Sequence, residues 1–176
     1  ERICSDVQLS MGFMHSGYPL MTHINEQRID WALDKPRLER GEAWGCYHEI
    51  GHNHQNADWT PAGTGEVTVN LFTTYAIETV AGQDIREDRF HSSRRQLQSR
   101  VANWVTRGKN FNAWKSDPFL ALEMYLRIKE KFGWDVYKKT FARYLEKGFS
   151  RPRNDYEKWQ IFARELSKTA NANLAA

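Results

Sequence analysis

The stretch from Gly41 to Phe72 reads GEAWGCYHEIGHNHQNADWTPAGTGEVTVNLF and contains the pattern HExxH at His48-Glu49-Ile50-Gly51-His52. A helix is expected over EAWGCYHEIGHNHQ, although its two internal glycines disfavour helix formation. On a helix, positions i and i+4 share one face and lie about 6 Å apart along the axis. The two imidazoles are therefore expected to bind one metal ion together.

A third metal ligand is expected from Glu66, which opens the next predicted helix after the turn-rich passage NADWTPAGTG. A catalytic zinc ion takes three protein ligands and keeps a fourth position for water. An antiparallel helix pair directs Glu66 towards the histidines, and Asn70, one turn later, shares its face and can support a ligand from behind. The sequence thus predicts one Zn²⁺ per chain, held by His48, His52 and Glu66.

Glu49 lies about 100° around the predicted helix from His48, beside the metal ion and not on it. That position suits a general base that takes a proton from zinc-bound water and passes it to a leaving amine. The alternative is a chance pattern in which two exposed histidines flank a surface glutamate. Gly51 argues against chance, because a helical glycine costs about 1 kcal/mol relative to alanine and so indicates close packing behind the metal.

The composition limits the remaining possibilities. A chain of 176 residues is the length of one domain. Its net charge is 25 − 22 = +3, with basic residues scattered among acidic ones, which predicts no nucleic-acid partner and no membrane insertion. Cys4 and Cys46 are too few for a disulfide framework. Because the chain opens at Glu1 inside a predicted strand and without an initiator Met, it is expected to be cut from a longer precursor.

Apolar and polar residues alternate from Ile3 to Ser10, which predicts a half-buried strand. The segment from Met11 to Met21 is expected to form a loop or an irregular second strand. Helical periodicity dominates afterwards, so the sequence predicts an α+β fold with a strand region at 1–24, an active-site helix pair at 42–82 and a helical subdomain at 87–170. The helices expected there span Glu87 to Thr106, Asp117 to Phe132, Asp135 to Lys147 and Asp155 to Thr169.

The Gly41 to Phe72 stretch, preceded by SDVQLSMGFMHSGYPLM, resembles the enhancin-like (M60-type) mucin-targeting zinc metallopeptidases, a gluzincin branch with HExxH and a downstream Glu. The similarity is close from Ser5 to Tyr75. It implies a zincin-like domain, the same zinc ligands, Glu49 as the catalytic base and an extracellular or cell-surface location. The family's catalytic region is longer than this chain and continues on the N-terminal side. Cys46 stands where a proline or another small residue is expected.

His15 and Tyr18, in the segment HSGYP, resemble a recurrent family segment near the cleft. Either is a candidate donor to the developing oxyanion, although a core tyrosine and a solvent-facing histidine fit the sequence equally well. His54 lies about 200° around the helix from His52 and is expected to point away from the metal.

Three aromatic residues near the motif, Trp44, Tyr47 and Trp59, suit either stacking on a sugar or packing in the core. The basic cluster from Arg86 to Arg100 is expected to form a solvated helix face.

The expected function is a zinc endopeptidase acting on O-glycosylated, mucin-like proteins. One alternative is a zinc peptidase with unglycosylated polypeptide substrates, and another is a non-catalytic family member that binds glycoprotein. Substrate is expected to lie antiparallel to the strand from Ile3 to Ser10 or to the Met11 to Met21 segment.

Overall fold

The computed structural model describes residues 2–24 and 34–174. Three strands, β1 (Ile3–Asp6), β2 (Met14–His15) and β3 (Leu20–His23), form a sheet in the order β1-β3-β2, with β3 parallel to β1 and antiparallel to β2. The helices in this part of the chain are α1 (Lys35–Glu39), α2 (Trp44–Asn53), α3 (Gly65–Thr79), α4 (Arg94–Thr106), α5 (Phe111–Ser116), α6 (Pro118–Phe132), α7 (Asp135–Arg143) and α8 (Asp155–Ala170). A short 3-10 helix spans Ala57–Trp59 between α2 and α3. The predicted α+β class is confirmed.

Helices α2 and α3 pack most tightly at Gly51. A Cβ atom at this position would lie 3.0 Å from Val69 Cγ2, 3.1 Å from the Val69 carbonyl oxygen and 3.2 Å from Phe72 Cβ. Such distances are tighter than most real Cβ contacts, so a side chain at this position would push its neighbours away by a few tenths of an ångström, and glycine favours the close approach of the two helices. The close packing expected behind the histidines is present.

The hydrophobic core holds α3 in place from its other sides. Val67, Leu71 and Ile77 of α3 are almost completely buried and join a cluster with apolar residues of α6, α7 and α8. Helix α6 begins where the sequence indicates, because the Asp117 side chain accepts hydrogen bonds from the backbone of Phe119 and Leu120. Because α3 is buried on several sides, it is a rigid support for the side chains of its first turn, which include Glu66.

The sheet contacts α2 through β2 and the turn after it. Met14 Sδ lies 3.3 Å from the position that a Cβ atom would take on Gly45, near the start of α2. At the end of α2, the Asn53 side chain accepts from the Gly17 amide (2.9 Å) and donates to the Gly17 carbonyl (3.1 Å). The segment from Met14 to Gly17 therefore runs along the helix that carries the HExxH pattern, whereas β1 forms the far edge of the sheet.

β1 and α4 are shorter than predicted. β1 ends at Asp6, not at Ser10, and three of its four residues are exposed, because an edge strand of this small sheet has little to cover it. The helix predicted to begin at Glu87 begins at Arg94. The residues before it form turns, in which the Ser92 hydroxyl donates to the Ile85 carbonyl.

Arg86 departs from the expected solvated helix face. It precedes α4, its side chain is only 7% exposed, and it pairs with Glu123 and Glu130, each at 2.7 Å. The prediction that Arg86 lies on a solvated helix face is therefore wrong. The turns before α4 bring its side chain against the carboxylates of Glu123 and Glu130 on α6. Arg94 and Arg95 of the same cluster are exposed on α4, as expected.

The structure also revises the helical part of the prediction. Helix α7 ends at Arg143 and not at Lys147, because residues 144–149 turn back and place Tyr144 in the core. The short helices α1 and α5 were not expected. Each is capped by the residue before it, Asp34 and Asn110 respectively, a local signal that the sequence does contain.

The contact at Gly51 leads to a test with a matched pair of variants. Gly51→Ala should lower the free energy of unfolding by about 1 kcal/mol or more, because overpacking against the Val69 backbone outweighs the better helix propensity of alanine. Gly65→Ala, where no atom lies within 4 Å of the added Cβ, should leave it unchanged or raise it by up to about 1 kcal/mol. Chemical denaturation measures both, and equal effects would contradict the contact.

Candidate metal centre

His48 and His52 of α2 face Glu66 in the first turn of α3. His48 Nε2 lies 3.1 Å from Glu66 Oε2, and His52 Nε2 lies 3.6 Å from Glu66 Oε1. The two imidazole rings are perpendicular, with centroids 4.7 Å apart. One ligand atom from each of the three residues falls within 4.8 Å of the others. The structure therefore brings together the three residues that the sequence predicts as zinc ligands.

Both histidines hold their Nδ1 atoms against amide side chains. His48 Nδ1 lies 3.0 Å from Asn70 Oδ1, and His52 Nδ1 lies 2.7 Å from Gln55 Oε1. An amide oxygen can only accept a hydrogen bond, so each Nδ1 carries the proton. In the neutral imidazole this leaves the lone pair on Nε2, the atom that faces Glu66. Metal-binding histidines are commonly oriented in this way.

The donor set fits a divalent cation. Two Nε2 lone pairs and a carboxylate repel one another unless a positive charge lies among them. Three ligand atoms about 2.1 Å from one tetrahedral Zn²⁺ lie roughly 3.4 Å apart, close to the 3.1 and 3.6 Å separations here. The histidine side chains are 18% and 21% exposed and that of Glu66 is 60% exposed, so the cluster also opens to solvent on the glutamate side.

Asn70 takes the supporting position that the sequence predicts, and its side chain is almost fully buried in α3. Gln55 was missed. It follows the end of α2, where helical spacing gives no orientation, so the sequence holds only a weak signal: an amide residue three positions after the second histidine.

Glu49 is half-buried on α2, and its carboxylate makes no side-chain hydrogen bond or ion pair in the described part of the chain. Its carboxylate is close enough to influence Cys46: burial raises the pKa of that thiol to about 11, and the Glu49 charge adds to the rise. Cys46 is buried, and its sulfur is not among the ligand atoms that converge at His48, His52 and Glu66.

His15 and Tyr18 lie on either side of Gly17, which Asn53 ties to α2. His15 Nδ1 lies 2.9 Å from the Ser16 carbonyl and its Nε2 lies 3.2 Å from the Ser10 hydroxyl, so both ring nitrogens are engaged within their own segment. The Tyr18 side chain is 76% exposed. Of the two predicted oxyanion donors, Tyr18 is the one that keeps an accessible ring.

A second face of α2 lines an apolar cavity of about 310 Å³. His54 contributes to this cavity and lies near the Phe72 ring, at 6.3 Å between centroids, which agrees with the expected orientation away from the metal ligands. Trp59 is 5% exposed and stacks on Phe141, so it belongs to the core and not to a sugar-binding surface. Trp44 and Tyr47 are half-buried and pack against the same core.

The family described as Peptidase M60, enhancin and enhancin-like, matches residues 1–176. The chain belongs to this family. Similar curated proteins are a TRPM8 channel-associated factor homolog of Danio rerio (36% identical), TRPM8 channel-associated factor 2 of Bos taurus (35%) and TRPM8 channel-associated factor 1 of Homo sapiens (32%). Each alignment covers 99% of this M60 chain and 19% of the relative.

The M60 chain thus spans about a fifth of the length of the curated relatives it matches. No solved structure matches it. Within residues 2–24 and 34–174, no helix combines the length and the apolar character that crossing a lipid bilayer requires.

The converging donors predict metal binding by the purified chain. Wild type should retain about one zinc per chain, and His48→Ala, His52→Ala or Glu66→Ala should each release most of it, because three protein ligands are the minimum for a stable catalytic site. His54→Ala is the matched control and should retain zinc as wild type does. Elemental analysis after dialysis gives the stoichiometry, and full retention by Glu66→Ala would show that the third ligand lies elsewhere.

Proposed function

We propose that this chain carries the catalytic site of a zinc-dependent endopeptidase. The observation that supports it most directly is the convergence of two Nε2 atoms and the Glu66 carboxylate, with both Nδ1 protons held by amide oxygens. Membership of the M60 peptidase family supports the same function. We also propose that residues 1–176 form a single catalytic domain, with a strand region, an active-site helix pair and a helical subdomain.

Bound zinc acidifies a water molecule and polarises a carbonyl group. His48, His52 and Glu66 hold the ion in this proposal, and Glu49 accepts the proton of the attacking water. Glu49 then delivers that proton to the departing amine, so that no covalent bond to the protein forms. The half-buried carboxylate suits this task, because it forms no ion pair with another side chain in the described part of the chain.

Glu49→Gln should keep the zinc and the fold but lose turnover by about 10²–10⁴-fold, because an amide cannot accept the proton. Zinc content and peptide cleavage are measured on the same preparation. Cleavage by Glu49→Gln at the wild-type rate would require another base.

The structure favours one of the two segments proposed to border the substrate. The segment from Met14 to Gly17 lies along α2, between its first turn and Asn53, and His48 and His52 fall within that length. β1 lies across the sheet, on the far side of β3. We therefore place an extended substrate beside the Met11 to Met21 segment, where main-chain hydrogen bonding would hold the scissile carbonyl near the histidines.

O-glycosylated protein is the proposed substrate class, supported by resemblance to the mucin-targeting members of the family. A mucin-type glycopeptide should be cleaved beside its glycosylated Ser or Thr, and its deglycosylated twin should stay intact, because sugar contacts supply binding energy that positions the carbonyl. Mass spectrometry of both digests compares them. Equal cleavage of the two would favour the unglycosylated-substrate alternative. An extracellular or cell-surface location is proposed on the same resemblance.

The names of the relatives favour a second candidate function. Proteins 32–36% identical to this chain are named as TRPM8 channel-associated factors. A non-catalytic role is the corresponding candidate, in which the domain binds a channel or another glycoprotein. Intact zinc binding with no cleavage of either peptide, and no difference between wild type and Glu49→Gln, would support this role.

A further inference from the structure

We infer that Gln55 is a positioning residue of the metal site, which sets the tautomer of His52 and ties its ring to the first turn of α3. This inference rests on the proposed zinc site. Gln55 is half-buried and lies immediately after the end of α2, in the connection that leads towards α3. It contacts both ligand-bearing helices through a single amide group.

The orientation of that amide follows from its partners. Gln55 Nε2 lies 2.6 Å from the Gly65 carbonyl oxygen and also contacts the Thr68 hydroxyl. A carbonyl oxygen only accepts, so the amide nitrogen must face Gly65 and the amide oxygen must face His52. With that oxygen 2.7 Å away, His52 carries its proton on Nδ1 and keeps the Nε2 lone pair for a metal ion.

The same side chain acts on the third ligand through the backbone. The Gly65 carbonyl belongs to the peptide that joins Gly65 to Glu66, so the hydrogen bond from Gln55 restrains the residue that carries the carboxylate. The Glu66 side chain is 60% exposed and has little packing of its own. Its placement therefore depends on the backbone of this first turn, and Gln55 holds that turn at a set distance from His52.

Three variants of the full chain separate this role from simple packing. Gln55→Leu keeps the bulk but loses both the acceptor and the donor. Gln55→Glu keeps an acceptor for His52 but loses the donor to the Gly65 carbonyl oxygen, so it separates the effect on the histidine from the effect on the first turn of α3. Gln83→Ala is the control, because Gln83 is also an amide that bridges two segments, through the Glu39 and Ala81 carbonyls, without contacting the zinc ligands.

The first measurement is the affinity for zinc alone, determined by competition with a chromophoric chelator. Gln55→Leu should bind zinc about 10–100-fold more weakly than wild type, the usual effect of removing the partner of a ligating histidine. Gln55→Glu should fall between Gln55→Leu and wild type, because it keeps the acceptor for His52 and loses the donor to Gly65, and Gln83→Ala should match wild type. Affinity of Gln55→Leu equal to wild type would overturn the inference. Wild type that binds no zinc would instead remove the proposed function.

The second measurement does not depend on zinc. The ¹⁵N chemical shifts of the histidine rings in metal-free protein report the tautomer, with the His52 signals assigned by comparison with His52→Ala. Wild type and Gln55→Glu should show His52 protonated on Nδ1, and Gln55→Leu should show a mixture of tautomers. If Gln55→Leu kept the pure Nδ1 tautomer, or if Gln55→Glu lost it to the same extent, Gln55 would have only a packing role.

Discussion

The close approach of α2 and α3 at Gly51 is the contact on which the site depends. Because Gly51 has no side chain, the Val69 backbone comes near enough for the His48 and His52 rings on one helix to meet the first turn of the other. The hydrophobic core packs against the remaining sides of α3. The distance between α2 and α3 is therefore set by apolar packing and not by the histidine and glutamate side chains. The three proposed metal ligands are thus brought together by an apolar interface.

Polar groups then set the chemistry within that spacing. Two amides, Asn70 and Gln55, accept the Nδ1 protons of the histidines and leave the Nε2 lone pairs directed at a carboxylate. Such an arrangement is unfavourable without a cation, which is the physical basis for proposing a zinc ion here. Glu49 stands outside this hydrogen-bonding pattern, which leaves its carboxylate available for proton transfer.

The sheet is small, and its contribution to the site is the segment after β2, which lies along α2. Asn53 binds both backbone groups of Gly17 and so holds the segment after β2 against the end of α2. A substrate beside that segment would approach the histidines from the open side, where Glu66 is exposed. Trp59 is buried in the core, where it packs against Phe141 and Tyr144, and so serves the stability of this support.

Local spacing was enough to predict much of the site. The i, i+4 positions of His48 and His52 share a helix face whatever surrounds them, and Asn70 follows Glu66 by one turn for the same reason. The α+β class and the start of α6 also follow from short-range patterns. The tertiary structure alone decided the burial of Arg86, the contact of β2 with α2 and the role of Gln55. Each of these depends on residues distant in sequence, and no helical or strand periodicity relates such residues to one another.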